Sequence, residues 1–147
     1  MLLKQASYLI GRKRQSEADR RRAVSAAYYA LFHSVAKFGA DWLVGSNPDL
    51  SGAYALAYRS LDHGTLKSGC MALVKQKPLT PLHIFASTLV DLQEDRHLAD
   101  YAPEFSLDTE SARAKIDRAA DAISALKSAD ILDRHLFLSE LYFKKRK

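Results

Sequence analysis

The side chain with the clearest chemical potential in this sequence is an arginine on the apolar face of a predicted helix. In the segment DLQEDRHLADYAP, residues 91–103, Arg96 continues an otherwise apolar row spaced by three or four residues: Phe85, Leu89, Leu92 and Ala99. A semi-buried guanidinium oriented by a carboxylate is the group that proteins use to bind phosphate and other oxyanions. Arg96 therefore predicts an anion site, with Asp100 as the orienting carboxylate one turn later.

The alternative is that Arg96 and Asp100 form a structural ion pair. On an exposed helix such a pair contributes only about 0.3–0.5 kcal/mol, and less when the acid is on the C-terminal side. Asp100 also lies near a predicted helix C-terminus, where the helix dipole disfavours an anion. Helix stability thus explains Arg96 better than Asp100, and both interpretations stay open at this point.

A second row of candidate side chains lies on the long helix near the start of the chain. Arg22, Ala26, Tyr29 and His33 are spaced by four, three and four residues, so they share one line along that helix. A lone histidine beside an apolar face is more often a hydrogen-bonded core residue than a catalyst. His33 gains a chemical role only if folding brings it to Arg96.

Metal and cofactor chemistry is not indicated. The five histidines, at positions 33, 63, 83, 97 and 135, include no pair four residues apart and no acidic partner at metal-ligand spacing. The single cysteine, Cys70, excludes an internal disulfide and agrees with a reducing cytoplasm. There is no glycine-rich phosphate loop. We expect neither a metal nor a cofactor, and we expect His83 and His135 to be ordinary, partly exposed residues.

The elements that must position these residues are predicted to be helices, because apolar side chains recur at three and four residues along nearly the whole chain. A first helix ends near Gly11, and a long second helix runs from about Ser16 to Val44. The segment 49–64 is a less certain helical stretch interrupted by Gly52 and Gly64. The next helix ends at Pro78 and should turn four side chains inward: Leu66, Cys70, Leu73 and Val74.

Three further helices complete the prediction. Thr80 followed by Pro81 is a helix-start pattern, and that helix runs toward Tyr101 and stops at Pro103. Asp108 caps the next helix, whose buried edge should contain four residues: Ile116, Ala119, Ile123 and Leu126. The last helix runs from Ile131 to about Phe143.

Length and connections then predict the architecture. Residues 1–147 suit one domain, and helices joined by short connections pack as antiparallel neighbours. We expect an all-α, up-and-down antiparallel bundle of four to five main helices, with a basic tail from about residue 144. No stretch approaches the roughly 18 apolar residues of a membrane span, so we expect a cytoplasmic protein without membrane contact.

Charge is concentrated at the two ends of the chain. Residues 1–22 contain seven Lys or Arg and two acids, and the sequence ends in KKRK, within a net charge of +5. Basic ends on a more acidic body predict a polyanionic partner such as RNA. The alternative is that these are solvated helix faces and a frayed tail.

Two segments resemble HEPN domains. RRRAVSAAYYALFHSVAKF, residues 20–38, is similar to the signature helix of these domains, and the segment from Asp95 to Leu126 resembles their closing part, in which an Arg precedes Ala, Asp and Tyr. His63, in SLDHG, falls where many of these sequences place a histidine. The resemblance spans roughly Leu3 to Leu126 and implies a HEPN-like helical bundle, commonly a homodimer.

The resemblance also implies an activity, since active members of this superfamily are metal-independent ribonucleases used as toxins and in antiphage defence. They carry an Arg followed after four to six residues by His, often with a polar residue directly after the Arg. Arg96 and His97 match the first two positions, whereas Tyr101, Ala102 and Pro103 stand where the motif histidine would be. This departure resembles a branch with Ala, Asp and Tyr at the same place.

The implied reaction is transesterification, in which the ribose 2′-hydroxyl attacks the adjacent phosphorus. Arg96 would neutralise the developing charge. The base would be His97, or His33 or His63 if folding brings one near. Tyr101 would hydrogen-bond the phosphate, stack on a base, or be nucleotidylated by a cognate nucleotidyltransferase-type antitoxin, and dimerisation would place two copies of Arg96 across a shared cleft.

Three classes of function remain open from the sequence. The first is a metal-independent ribonuclease acting as a toxin or defence component. The second is a noncatalytic nucleotide-binding or RNA-binding module that uses the basic face including Arg20 to Arg22. The third is a dimeric assembly module that recruits a protein partner.

Overall fold

The computed structural model describes residues 1–146, and these residues form seven α-helices, one short 3-10 turn and no strand. The helices are α1 (Leu2–Gly11), α2 (Glu17–Leu43), α3 (Ser51–Arg59), α4 (His63–Val74), α5 (Pro81–Tyr101), α6 (Thr109–Ser128) and α7 (Ile131–Tyr142). The all-α prediction is confirmed. The helix number exceeds the predicted four to five main helices because α1 and α3 are short additional helices beside the long ones.

Polar caps set the starts of the longer helices. Ser16 and Asp19 exchange two hydrogen bonds at the start of α2, since each side chain accepts the other's backbone N–H. Asp62 caps α4, and Asp108 caps α6 as predicted. At the start of α5 Thr80 is the N-cap residue as predicted, and its N–H donates to the imidazole of His83, which forms the other half of a capping box. Each cap satisfies an N–H that the helix leaves unpaired.

Two predictions about the segment between α2 and α5 are wrong. Gly52 and Gly64 do not interrupt helices; each is the second residue of one, and the break falls at residues 60–62 instead. Glycine weakens a helix mainly in its interior, so a position in the first turn tolerates it. Val74 is 40% exposed rather than inward, because it ends α4 one residue beyond the buried Leu73.

The helix α5 runs antiparallel to three neighbours. Arg21 near the start of α2 contacts Ala99 near the end of α5, and Lys67 near the start of α4 lies beside Glu94. Lys115 near the start of α6 pairs with Asp95. These contacts place the C-terminal end of α5 at the N-terminal ends of α2, α4 and α6, and that end carries Arg96 and Asp100.

One hydrophobic cluster joins all the long helices. Its fully buried side chains include Tyr28 of α2, Cys70 of α4 and Phe85 of α5. Gly39 of α2 contacts Tyr142 of α7, where a Cβ atom would overlap the tyrosine ring. The missing side chain of Gly39 therefore lets Tyr142 of α7 pack directly against α2.

The surface of the fold adds two observations. Residues 144–146 follow α7 as exposed, non-helical chain, and the final residue of the predicted basic tail, Lys147, lies outside the described residues. None of the helices within residues 1–146 combines the length and the hydropathy needed to cross a bilayer.

Candidate functional site

Arg96 lies against two tyrosine rings of α2 near the C-terminal end of α5. Its guanidinium carbon is 5.6 Å from the ring centre of Tyr28 and 5.3 Å from that of Tyr29. The Arg96 side chain is only 20% exposed. A cation over aromatic faces gains more when it is partly desolvated, so these rings hold the guanidinium in place.

The guanidinium nevertheless keeps unused hydrogen-bond donors. Its Nε lies 3.1 Å from Oδ2 of Asp100, but the two atoms are not aligned for a hydrogen bond and Nε is buried without a partner. Within residues 1–146 the two Nη atoms donate to no protein acceptor, and they are not among the buried unpartnered atoms, so they retain solvent access. A guanidinium oriented by Asp100 and two rings, with its outer donors open, is suited to an incoming oxyanion.

A histidine contacts the hydroxyl group of Tyr28. His63, the first residue of α4, has Nδ1 at 2.6 Å from the Tyr28 hydroxyl, and its ring stacks on Phe32 with a centroid distance of 4.1 Å. The same ring meets Tyr29 edge-on at 5.9 Å. Tyr28 therefore joins Arg96 and His63 into one cluster, which also contains Tyr29 and Phe32.

The electrostatics of this cluster favour a neutral imidazole. Burial lowers the pKa of His63 below its usual 6.5, and the nearby charge of Arg96 acts in the same direction against the opposing effect of Asp62. Burial raises the pKa of Tyr28 to about 12, so its hydroxyl stays protonated at neutral pH. When the Tyr28 oxygen accepts from Nδ1–H, the other nitrogen of His63 is left as a free base.

An open cavity of about 660 Å³ lies beside this cluster, between α1, α2 and the end of α5. Four of the predicted site residues line it: Arg22, Tyr29, Asp100 and Tyr101. Arg22 is exposed and forms no ion pair within residues 1–146. We call this space the first cavity. It offers the guanidinium of Arg22, the phenols of Tyr29 and Tyr101 and the carboxylate of Asp100. Tyr29 is also one of the rings against which Arg96 packs.

The end of α5 is held in position by Arg21. Its guanidinium donates to the carbonyl oxygens of Ala99 and Ala102 at 2.9 Å and of Pro103 at 3.0 Å, and also to the carbonyl of Phe105. These oxygens terminate α5 and begin the following loop, where a cation is favoured by the helix dipole. Arg21 thereby fixes the turn of helix that carries Asp100 and Tyr101.

The basic segment before and within α2 is therefore partly engaged inside the protein. Arg20 pairs with Glu17 at 2.8 Å, and Arg12 pairs with Asp19 at 3.3 Å. Of the run Arg20 to Arg22, only Arg22 is free to meet a ligand in the first cavity. A binding face that uses all three arginines does not fit these contacts.

His33 lies one turn beyond Tyr29 and does not contact Arg96. Its Nδ1 is 2.7 Å from the hydroxyl of Tyr58, and its ring lies 5.7 Å from the Tyr58 ring with an angle of 22° between the planes. It reaches the cluster through Phe32 and Tyr29, whose ring centres are 5.6 Å and 6.2 Å away. Arg22, Tyr29 and His33 thus share a face as predicted, but His33 belongs to its far end.

His97 is separated from the cluster. It is exposed on α5, with its ring 5.1 Å from that of Tyr101, which is itself 68% exposed. Adjacent residues of a helix point about 100° apart, so the matching order of Arg96 and His97 does not bring their side chains together. Tyr101 reaches the first cavity, whereas His97 does not line it.

Three sets of contacts in and around the site were not predicted from the sequence. Tyr28 has the spacing of a core position on α2, so its contacts with Arg96 and His63 do not follow from the sequence. The role of Arg21 depends on carbonyl groups about 80 residues away in the chain. Tyr58 lies in a segment whose helical pattern was uncertain. The adjacent tyrosines at positions 28 and 29 were the one available signal. Neighbouring residues of a helix point in different directions, so one ring can face the core while the other faces the site.

The two remaining histidines have structural contacts. His83 caps α5 and its Nε2 lies 2.8 Å from the carbonyl oxygen of Gln76, while His135 stacks on Trp42 at 5.1 Å. Both are partly exposed, as predicted. Among residues 1–146 no group of three or more His, Cys, Asp or Glu side chains could hold a metal ion.

The chemistry of the site rests on this geometry alone. Comparisons with protein-family models, with curated proteins and with solved structures found no match to the chain.

Proposed function

We propose that this protein is a metal-independent ribonuclease of the HEPN type, acting on RNA phosphodiesters in the cytoplasm as a toxin or defence component. The single observation that carries the proposal is the cluster in which Tyr28 contacts both Arg96 and His63. This cluster supplies a cation with open donors and a neutral imidazole. In transesterification at a phosphodiester, a cation stabilises the charge of the phosphorane and a base accepts the proton of the attacking hydroxyl.

In this proposal Arg96 binds the phosphate through its Nη atoms and neutralises the charge that develops as the 2′-oxygen bonds to phosphorus. The bond from phosphorus to the 5′-oxygen breaks, and the 5′-oxygen leaves with a proton taken from water, so the products are a 2′,3′-cyclic phosphate and a 5′-hydroxyl. His63 takes the hydroxyl proton through its outer nitrogen, in the tautomer whose Nδ1–H donates to the Tyr28 oxygen. Asp100 orients the guanidinium. Of the three histidines that the sequence offers as a base, His63 is supported by its contact with Tyr28 and by its lowered pKa.

Arg22, Tyr29 and Tyr101 line the first cavity beside the cluster and would bind the nucleotides next to the cleaved bond. The proposal keeps the homodimer that the HEPN resemblance implies, with the second subunit contributing its own Arg96. It also keeps Tyr101, which is exposed, as the residue that a nucleotidyltransferase-type antitoxin would modify.

The proposal is tested by measuring the rate of RNA cleavage in EDTA, which removes divalent metal ions. We expect Arg96→Ala to reduce the rate about 10²–10³-fold, as for loss of one charge-stabilising donor, and His63→Gln to reduce it at least about 100-fold, as for loss of a general base. Arg113→Ala and His135→Gln are the matched controls, because Arg113 is exposed on α6 without an ion pair in residues 1–146 and His135 stacks on Trp42. Cleavage that survives in Arg96→Ala, or that requires a metal, contradicts the proposal.

A noncatalytic nucleotide-binding or RNA-binding module is the second candidate. It is favoured by the lack of a histidine at the motif position, where the sequence has Tyr101, Ala102 and Pro103. That function predicts salt-dependent RNA binding without cleavage, with Arg22→Ala and Arg96→Ala both weakening the complex. A partner-binding module would instead show Arg96→Ala changing the mass of the dimer with no effect on RNA.

A further inference from the structure

A second cavity lies farther along α2, on the other side of Tyr29 from Arg22. It is an open cavity of about 590 Å³ bordered by α1, α2, α3 and α6. The polar side chains that line it include His33, Lys37, Tyr54, Tyr58 and Lys127. The proposed ribonuclease site does not use this cavity.

A row of aromatic rings connects the two cavities. Tyr29 and His33 are 6.2 Å apart with an interplanar angle of 29°, and His33 and Tyr58 are 5.7 Å apart at 22°. Tyr58 and Tyr54 follow at 6.4 Å and 31°. Tyr29 lines the first cavity and the other three rings line the second. All four rings of this aromatic row are partly exposed, so none of them is enclosed in the core.

Positive charge lies at both ends of the aromatic row. Arg22 is in the first cavity, and Lys37 and Lys127 are in the second. Lys37 is neutralised by Asp41 at 2.6 Å, which also accepts a hydrogen bond from Tyr54. Lys127 is exposed and has no ion pair within residues 1–146, so it is the cation of this cavity that remains available.

The length of this surface exceeds one nucleotide. Arg22 and Lys37 are fifteen residues apart on one helix, which corresponds to about 22 Å along its axis. A stacked nucleotide advances about 3.4 Å along a strand. Aromatic surfaces flanked by cations are the usual binding surface for single-stranded nucleic acid, since every base has a face that can stack.

We infer that the second cavity is a subsite for a nucleotide flanking the cleaved bond, so that the substrate is single-stranded RNA lying along the aromatic row. Lys127 binds a phosphate of this flanking nucleotide, and the exposed parts of the Tyr54 and Tyr58 rings contact its base. The inference rests on the proposed function, because it assumes that the reacting phosphate binds at Arg96. It adds a requirement for unpaired RNA longer than the reacting dinucleotide.

The test compares ligands of increasing length. Binding of a nucleoside monophosphate, a dinucleotide and a tetranucleotide is measured by competition against a fluorescent RNA, with 2′-O-methyl oligonucleotides that cannot be cleaved. We expect the wild type to bind the tetranucleotide more tightly than the dinucleotide. Tyr54→Ala should remove about five-fold or more of that gain, as for the loss of one stacked base. Lys127→Ala should lower the slope of log K against log salt by about 0.7, as for one phosphate contact on a single strand.

Two matched controls isolate the subsite. Tyr54→Phe keeps the ring and loses only the hydrogen bond to Asp41, so it should bind like the wild type. Lys75→Ala removes an exposed lysine just beyond the end of α4 and should leave the salt slope unchanged. Melting temperatures of all four variants exclude loss of folding as the cause of weaker binding.

The outcomes separate this inference from the proposed function. If RNA cleavage depends on Arg96 but the tetranucleotide binds no better than the dinucleotide, the second cavity is not a subsite. If Lys75→Ala weakens binding as much as Lys127→Ala, the effect is general charge and the inference is also overturned. If no ligand binds and no RNA is cleaved, the proposed function fails and the subsite fails with it.

Discussion

Replacement of Arg21 by alanine should destabilise the protein far more than the same replacement of its neighbour Arg22. Arg21 is 21% exposed and donates to four carbonyl oxygens at the end of α5 and in the following loop. A hydrogen bond with one charged partner contributes about 1.5–3 kcal/mol. These carbonyls are partly solvated, so water can replace the guanidinium at some of them in Arg21→Ala. We therefore expect the four hydrogen bonds of Arg21 together, which we call the clamp, to contribute about 2–3 kcal/mol to the free energy of unfolding, close to the value of a single such bond.

The assay is thermal unfolding of the wild type, Arg21→Ala, Arg21→Lys and Arg22→Ala. A loss of this size should lower the melting temperature of a chain this long by about 5–10 °C. Arg21→Lys should recover less than half of the difference, because an ammonium group cannot reproduce the planar fork. Arg22→Ala should stay within about 0.5 kcal/mol of the wild type, as an exposed arginine without a partner in residues 1–146. A melting temperature of Arg21→Ala within about 1 °C of the wild type would refute the clamp, since the expected shift is several times larger.

Three further changes test other parts of the structure. Gly39→Ala should cost about 1–3 kcal/mol in unfolding free energy because the new Cβ overlaps Tyr142, whereas Gly11→Ala, which meets nothing within 4 Å, should be neutral or stabilising. Since the pKa of His63 is lowered in the folded state, the unfolded state binds more protons below pH 6.5, so stability should fall as the pH drops through that value. Above it the contribution should be constant, and His63→Gln should remove this part of the pH dependence measured by urea unfolding. Asp108→Ala should cost about 1 kcal/mol in chemical denaturation by removing the cap of α6, and an unchanged midpoint would contradict that role.

Most of the helices could be predicted because their signals are local. The long apolar period of α2, the Thr80–Pro81 start of α5 and the Asp108 cap of α6 each act within a few residues of chain. The same local signals misplaced the break before α4. Glycine at position 64 suggested an end, whereas the Asp62 cap makes that glycine part of a first turn.

The candidate site was predictable only in part, because its contacts are long-range. A charged residue in an apolar row indicated Arg96, and helical spacing placed Asp100 beside it. Spacing along one helix cannot show which ring of another helix a guanidinium meets, so the contact with Tyr28 was missed. The hydrogen bond between Tyr28 and His63 joins residues 35 positions apart, and only the packing of α4 against the rest of the bundle creates it.

The single thiol of the chain has a practical consequence. Cys70 is completely buried and burial raises its pKa to about 12, so in the native state it carries almost no thiolate and is shielded from reagents. Alkylation by a maleimide or exchange with an aromatic disulfide must wait until the core opens. The labelling rate of the unmodified protein therefore reports how often α4 separates from its neighbours, and ligand-induced slowing of that rate gives a binding assay that needs no engineered probe.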